Sequence, residues 1–212
     1  MKNTFADKIK QGYDAIADVW EKERDWYLEQ NPLKQFISHL EPKAKILDVG
    51  CGSGKPIAAY LITKGFDVFG MDISPKQIEH AKHIIPEDQL FIADICSFET
   101  ALRFDGIVCW FALFHIPTSQ YLAVLKKFYS FLNPNGILCI TFADTNVEPE
   151  GTELKIIDEN TIESEMFGER FIHSGLPAEK NTQLIEEVGF SIISNDLDQP
   201  GNQVIIARKN SK

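Results

Sequence analysis

The chain has 212 residues, 44% hydrophobic and 25% charged, with a formal net charge of −10. That is enough for one domain with a sizeable core, and the composition is that of a globular protein rather than a disordered one. The acidity argues against a nucleic-acid partner, which needs a basic stripe to neutralise phosphates. The longest apolar stretch, 107–116, is about half a membrane span, so no membrane partner is expected.

In chain order, 5–30 places Ile9, Tyr13, Ile16, Val19 or Trp20, and Tyr27 at roughly helical spacing and reads as one or two helices. Asn31-Pro32 breaks that run and starts a helix over 33–40. Then strands and helices alternate. AKILDVG (44–50) is a short buried strand, Gly54 to Lys64 a helix stopped by Gly65, and FDVFGMD (66–72) a second strand. Ser74-Pro75 caps and opens a helix that ends before Pro86. QLFIAD (89–94) and FDGIVCWF (104–111) are the third and fourth strands, with a helix over 118–132 to follow. Asn133 to Gly136 is a turn into a fifth strand, 137–143. Short apolar strands separated by helices imply parallel pairing, hence a doubly wound α/β sheet.

The rhythm breaks over 144–177, an acidic insert that reads as a loop, a small hairpin or a lid. It returns with a helix at 178–188 and two strands, GFSIISNDL and QVIIARK, separated by a turn and expected to pair antiparallel. The whole reads as a single domain, with 1–40 as a helical cap, 41–143 as the core and 178–212 as the closing helix and strand pair. Cys51, Cys96, Cys109 and Cys139 lie far apart, with no CxxC pair and no His cluster, so neither a metal site nor a disulfide framework is expected. No apolar signal region opens the chain, and a reduced cytoplasmic setting fits. Nothing in the sequence sets the oligomeric state.

The glycine loop LDVGCGSGKP, 47–56, admits three ligands. A triphosphate loop requires Gly at 49 and a hydroxyl at 56, where the chain has Val49 and Pro56. A dinucleotide loop requires its third Gly at 55, where the chain has Lys55. Asp48, Gly50, Cys51, Gly52 and Gly54 instead resemble the first motif of class I S-adenosylmethionine-dependent methyltransferases, and three further features follow in order. Asp72 ends the second strand about 22 residues after Gly50, Asp94 ends the third, and the fourth-strand segment runs into Trp110, Phe111 and Phe114.

The resemblance implies a Rossmann-like methyltransferase fold: a seven-stranded, mostly parallel sheet with the last strand antiparallel and helices on both faces. It implies S-adenosylmethionine as cofactor, with S-adenosylhomocysteine as product, and methyl transfer to a small-molecule acceptor. Asp48 would orient the loop, Asp72 with Ile73 would meet the ribose, and Asp94 with the N–H of Ile95 the adenine. Trp110 would lie near the reactive methyl, and Cys51 fills the loop rather than acting as a nucleophile. Asp48, Asp72 and Asp94 taken singly could also be turn or helix-capping residues. His115 is either a base for the acceptor or a packed, orienting His. Tyr13 could reach the methionine carboxylate; Trp20, Arg24, Phe114 and His173 could face the acceptor, or belong to packing and solvated surface. A non-catalytic binder of the same ligand, and a methyltransferase acting on protein or RNA, remain alternatives.

Overall fold

The computed structural model describes residues 4–23, 31–143, 155–197 and 202–211. Its main sheet has seven strands: β1 (Lys45–Val49), β2 (Asp67–Asp72), β3 (Leu90–Ile92), β4 (Phe104–Cys109), β5 (Leu132–Phe142), β9 (Phe190–Leu197) and β10 (Gln203–Lys209). Their spatial order is β3-β2-β1-β4-β5-β10-β9. The first five pair in parallel, and β10 runs antiparallel to both neighbours.

Period-2 side-chain alternation divides the core between the two faces of this sheet. Leu138, Ile140 and Phe142 of β5 enter one apolar layer with Tyr121, Leu125 and Phe128 of α5 (Tyr121–Phe131). Ile137 and Cys139 enter the other, with Phe36 of α2 (Asn31–Ser38) and Ala58 and Leu61 of α3 (Ile57–Thr63). Phe36 is fully buried, a gain of roughly 1.5–3 kcal/mol for such a side chain. α4 (Pro75–Ala81) starts on Ser74, whose hydroxyl accepts from the Gln77 N–H. α6 (Ala178–Val188) stops at Gly189 in the left-handed region.

The assigned β5 begins at Leu132, earlier than expected. Asn133 to Gly136 still turn: they bulge out of register between the Phe104–Leu132 and Gly106–Ile137 pairs. The insert forms a three-stranded antiparallel sheet of β6 (Lys155–Asp158), β7 (Thr161–Met166) and β8 (Glu169–Ser174). Residues 144–154 of the insert lie outside the described residues, as do Arg24, Tyr27 and the expected turn over 198–201.

α1 (Phe5–Glu23) lies between this small sheet and the carboxyl ends of β1 and β2. Ile9 and Ile16 pack with Phe171, and Tyr13, Trp20 and Ile73 close around them. Its polar side docks on α4: Ser74 Oγ donates to Asp14 at 2.6 Å, and His80 sits 2.9 Å from Asp18 and 3.2 Å from Glu21. Gly12 sets the approach to β8, because a Cβ there would fall 2.8 Å from the Phe171 ring. Two effects oppose each other in Gly12→Ala. Helix propensity favours Ala by about 1 kcal/mol. Overpacking against a fully buried ring costs about 1–3 kcal/mol, and it wins. We expect Gly12→Ala to lower the melting temperature by roughly 2–4 °C; a rise in thermal melts would show that the ring yields freely.

Candidate functional site

A cavity of about 370 Å³ opens at the carboxyl ends of β1, β2 and β4, beneath α1. It lies where the strand order reverses between β1 and β4, the place open α/β sheets offer to ligands. The glycine loop forms its floor. Gly50 and Gly52 hold φ of 72° and 54°, values that favour glycine, and the N–H groups of Gly50 and Cys51 both donate to the Met71 carbonyl. Asp48, Gly50, Cys51 and Gly52 line the cavity; Gly54 lies behind it, facing Ile84. Burial, followed by the neighbouring Asp48 and Asp72, pushes the Cys51 thiol well above its ordinary pKa, so it is no nucleophile.

Asp72, at the end of β2, holds the loop. Its Oδ2 accepts from the Gly52 N–H at 2.9 Å and its Oδ1 from the Ser74 N–H at 2.8 Å. Burial raises its pKa to about 6, against the opposing pull of those backbone donors. Each oxygen keeps further acceptor capacity, and Asp72 lines the cavity. Ile73, Asp94 and Ile95 complete that wall. Asp94 Oδ1 also accepts from the Cys96 N–H at 2.9 Å, so it caps its own turn as well as bordering the cavity.

After β4 the chain turns sharply through Phe111, whose φ of 54° is rare for a bulky side chain. Its N–H donates to Thr141 Oγ at 2.6 Å, which holds the turn and sets Trp110 and Ala112 into the cavity wall. Trp110 is 4% exposed, and its Nε1–H finds no hydrogen-bond partner among the described residues. An unmet buried donor costs about 1–3 kcal/mol; with Nε1 itself enclosed, Trp110 borders the cavity through its ring.

His115 also lines the cavity and meets Tyr13, 102 positions away in sequence. His115 Nδ1 lies 3.1 Å from the Ile172 carbonyl, which can only accept, so Nδ1 carries the hydrogen. Burial, and then His173, lowers the pKa of His115 to about 3, so the ring is neutral. Nε2 therefore accepts, and the Tyr13 hydroxyl donates to it at 2.7 Å. Phe114 and His173 do not line the cavity. Both pack behind His115, with ring centroids 4.7 and 4.9 Å from it, and His173 Nε2 is 2.9 Å from Ser164 Oγ. Trp20 does line it, 5.8 Å from Tyr13. Phe5 and Lys55, not expected from the sequence, also border the cavity. Phe5 continues the i, i+4 stripe through Ile9 and Tyr13; Lys55 carries no pattern signal. Among the described residues no cluster of His, Cys, Asp or Glu could hold a metal ion, and no helix is long and apolar enough to cross a membrane.

The sheet order, the glycine loop and the carboxylate ending β2 define the class I methyltransferase fold and its ligand pocket. The chain matches the family described as "Methyltransferase domain" over residues 20–195 and belongs to it. It is similar to the dTDP-3-amino-3,4,6-trideoxy-alpha-D-glucopyranose N,N-dimethyltransferase of Streptomyces venezuelae, 27% identical over 144 residues, 60% of each chain. It is also similar to the putative methyltransferase YqeM of Bacillus subtilis, 27% identical over 154 residues, 66% of this chain and 60% of that one. The alignments thus span about three-fifths of the length of these curated relatives. The fold is shared with the Burkholderia thailandensis 1,6-didemethyltoxoflavin-N1-methyltransferase, solved with 1,6-didemethyltoxoflavin and S-adenosylhomocysteine. The TM-score is 0.68 at 20% identity, covering 98% of this chain and 87% of that one.

The pocket fits S-adenosylmethionine, the ligand of this family. Gly50 and Gly52 line the cavity without a Cβ, and the Asp72 carboxylate ends β2 against the Gly52 N–H.

Proposed function

We propose that the protein transfers a methyl group from S-adenosylmethionine to a small-molecule acceptor by in-line displacement. The observation that carries this reading is the cavity itself. The glycine loop, Asp72, Asp94 and the hydrogen-bonded Tyr13–His115 pair all line it. Bound S-adenosylmethionine supplies a methyl carbon on a positively charged sulfur, so the protein's task is to align and to exclude water rather than to activate.

In this reading Asp72 accepts from the ribose hydroxyls, Gly50 and Gly52 let the ligand approach the backbone, and Asp94 with Ile95 borders the adenine. Asp48, Cys51, Ile73 and Trp110 complete the pocket. Tyr13 presents its hydroxyl oxygen to the acceptor, and His115 holds that hydroxyl in place. His115 is no base here, because its Nε2 is engaged and burial opposes its charge. The acceptor accordingly attacks with a lone pair it already carries, as a neutral amine does; the Streptomyces relative is named for N,N-dimethylation. Enclosure beneath α1 favours a small acceptor over a macromolecule. The four free cysteines suit a reducing, cytoplasmic setting.

The test is label transfer. The protein is incubated with methyl-deuterated S-adenosylmethionine and pools of small amines, alcohols and acids, and products are read by mass spectrometry. A deuteromethylated amine is expected, formed roughly tenfold more slowly by Tyr13→Phe, as for the loss of one hydrogen bond. Ligand binding without labelled product in any pool would leave a non-catalytic binder as the better account.

A further inference from the structure

The β7–β8 hairpin closes on Phe167 and Gly168, flanked by the Met166–Glu169 pair. Both loop residues have positive φ, 53° and 82°. Two-residue loops of this kind favour Asn-Gly, because Asn tolerates the left-handed region and a bulky ring does not. Phe167 is also 49% exposed, so burial returns only part of what the strained backbone costs. Folding alone would be better served by Asn.

The position of the ring supplies another reason for it. Phe167 meets Trp20 edge to face, with centroids 6.2 Å apart. Trp20 lines the cavity and meets Tyr13, which bonds to His115. Aromatic rings therefore run without a break from the buried His115 to an exposed Phe at the hairpin tip. A cavity of 370 Å³ lies at the small end for ligand sites, so a second molecule beside the adenosyl ligand must extend along a neighbouring wall.

We propose that Phe167 and Trp20 form the outer wall of the acceptor site and select an acceptor with a flat, aromatic body. This rests on the methyl-transfer reading above and names the substrate class that the site would take. Offset and edge-to-face contacts with two rings favour a planar π-system over a puckered ring of equal polarity.

The experiment uses protein saturated with S-adenosylhomocysteine and two uncharged probes, 2-naphthol and decahydro-2-naphthol, titrated by calorimetry. We expect 2-naphthol to bind about tenfold more tightly than its saturated counterpart. Phe167→Asn should abolish most of that preference while leaving S-adenosylhomocysteine affinity within about twofold, and should raise the melting temperature or leave it unchanged. Phe167→Leu, which keeps apolar bulk without a flat face, should lose the preference too. Failure of the loaded protein to bind 2-naphthol, an unchanged preference in Phe167→Asn, or a clear fall in its melting temperature would overturn the proposal. Failure to bind S-adenosylhomocysteine at all would instead overturn the reading on which it rests.

Discussion

Asp72→Asn will bind S-adenosylmethionine at least about 100-fold more weakly than the wild type, and at pH 8 it will melt within about 4 °C of it. The two results come from one group. The Asp72 carboxylate accepts from the Gly52 and Ser74 N–H groups and faces the cavity. Hydrogen bonds to a charged acceptor contribute roughly 1.5–3 kcal/mol each, so losing the charge toward two ligand hydroxyls amounts to about 2.7 kcal/mol or more. In the free protein the same charge is a burden, since burial raises its pKa from 3.8 to about 6. A carboxyl whose pKa is raised by folding favours the fold most below 3.8, and that advantage fades as pH rises to about 6. Removing the charge relieves this penalty above pH 6, while the amide offers one acceptor oxygen to the Gly52 and Ser74 N–H groups and so loses about 1–3 kcal/mol; the two nearly cancel, which separates loss of binding from loss of fold.

A pH dependence follows with a definite sign. With the ribose hydroxyls on Asp72 as proposed, the ionised carboxylate is the stronger acceptor, so affinity should be level above about pH 7. It should fall as pH drops through about 6, up to tenfold per unit, and this slope should vanish in Asp72→Asn. Calorimetric titrations between pH 5 and 8 would check it; an affinity that improves on acidification would contradict the assignment.

Gly50→Ala carries the second large effect. The φ of 72° alone costs about 1–2 kcal/mol for a residue with a Cβ. The new Cβ would also fall 2.4 Å from the Cβ of Ala112, where carbon atoms prefer roughly 3.5–4.0 Å. Neither atom can rotate away, so the loop or the Trp110–His115 segment must move. We expect about 3 kcal/mol of destabilisation in total, in line with overpacking of a buried contact, and loss of ligand binding as the two walls separate. Gly65→Ala is the control. Its φ is 86° with nothing within 4 Å of the added Cβ, so only the backbone cost of about 1–2 kcal/mol applies. Equal denaturant midpoints for the two variants would show that the Gly50–Ala112 contact relaxes at no cost.

The main sheet was legible because its signals are local. The Ser74-Pro75 start and the Gly189 stop are capping chemistry, and β5 alternates its faces without interruption from Ile137 to Phe142. The glycine loop and Asp72 were legible through spacing along the chain. The small sheet was not, since Ile156 and Ile157 of β6 are exposed and β7 reads Thr-Ile-Glu-Ser-Glu-Met, a weak alternation that α1 completes from outside. Its turn was hidden as well, because Phe-Gly is not a pair that announces a hairpin. The joining of Tyr13 to His115 had no local signature, depending on α1 folding over the sheet. Nor could spacing alone tell that Phe114 and His173 pack behind His115 rather than face the cavity.

The most direct test of the central claim is calorimetric titration of the wild-type protein at pH 8 with S-adenosylmethionine, S-adenosylhomocysteine and NAD in parallel. Saturable one-to-one binding of both sulfur ligands, with no heat from NAD, is the predicted result. A folded protein that binds neither sulfur ligand, or that binds NAD in their place, would contradict the account.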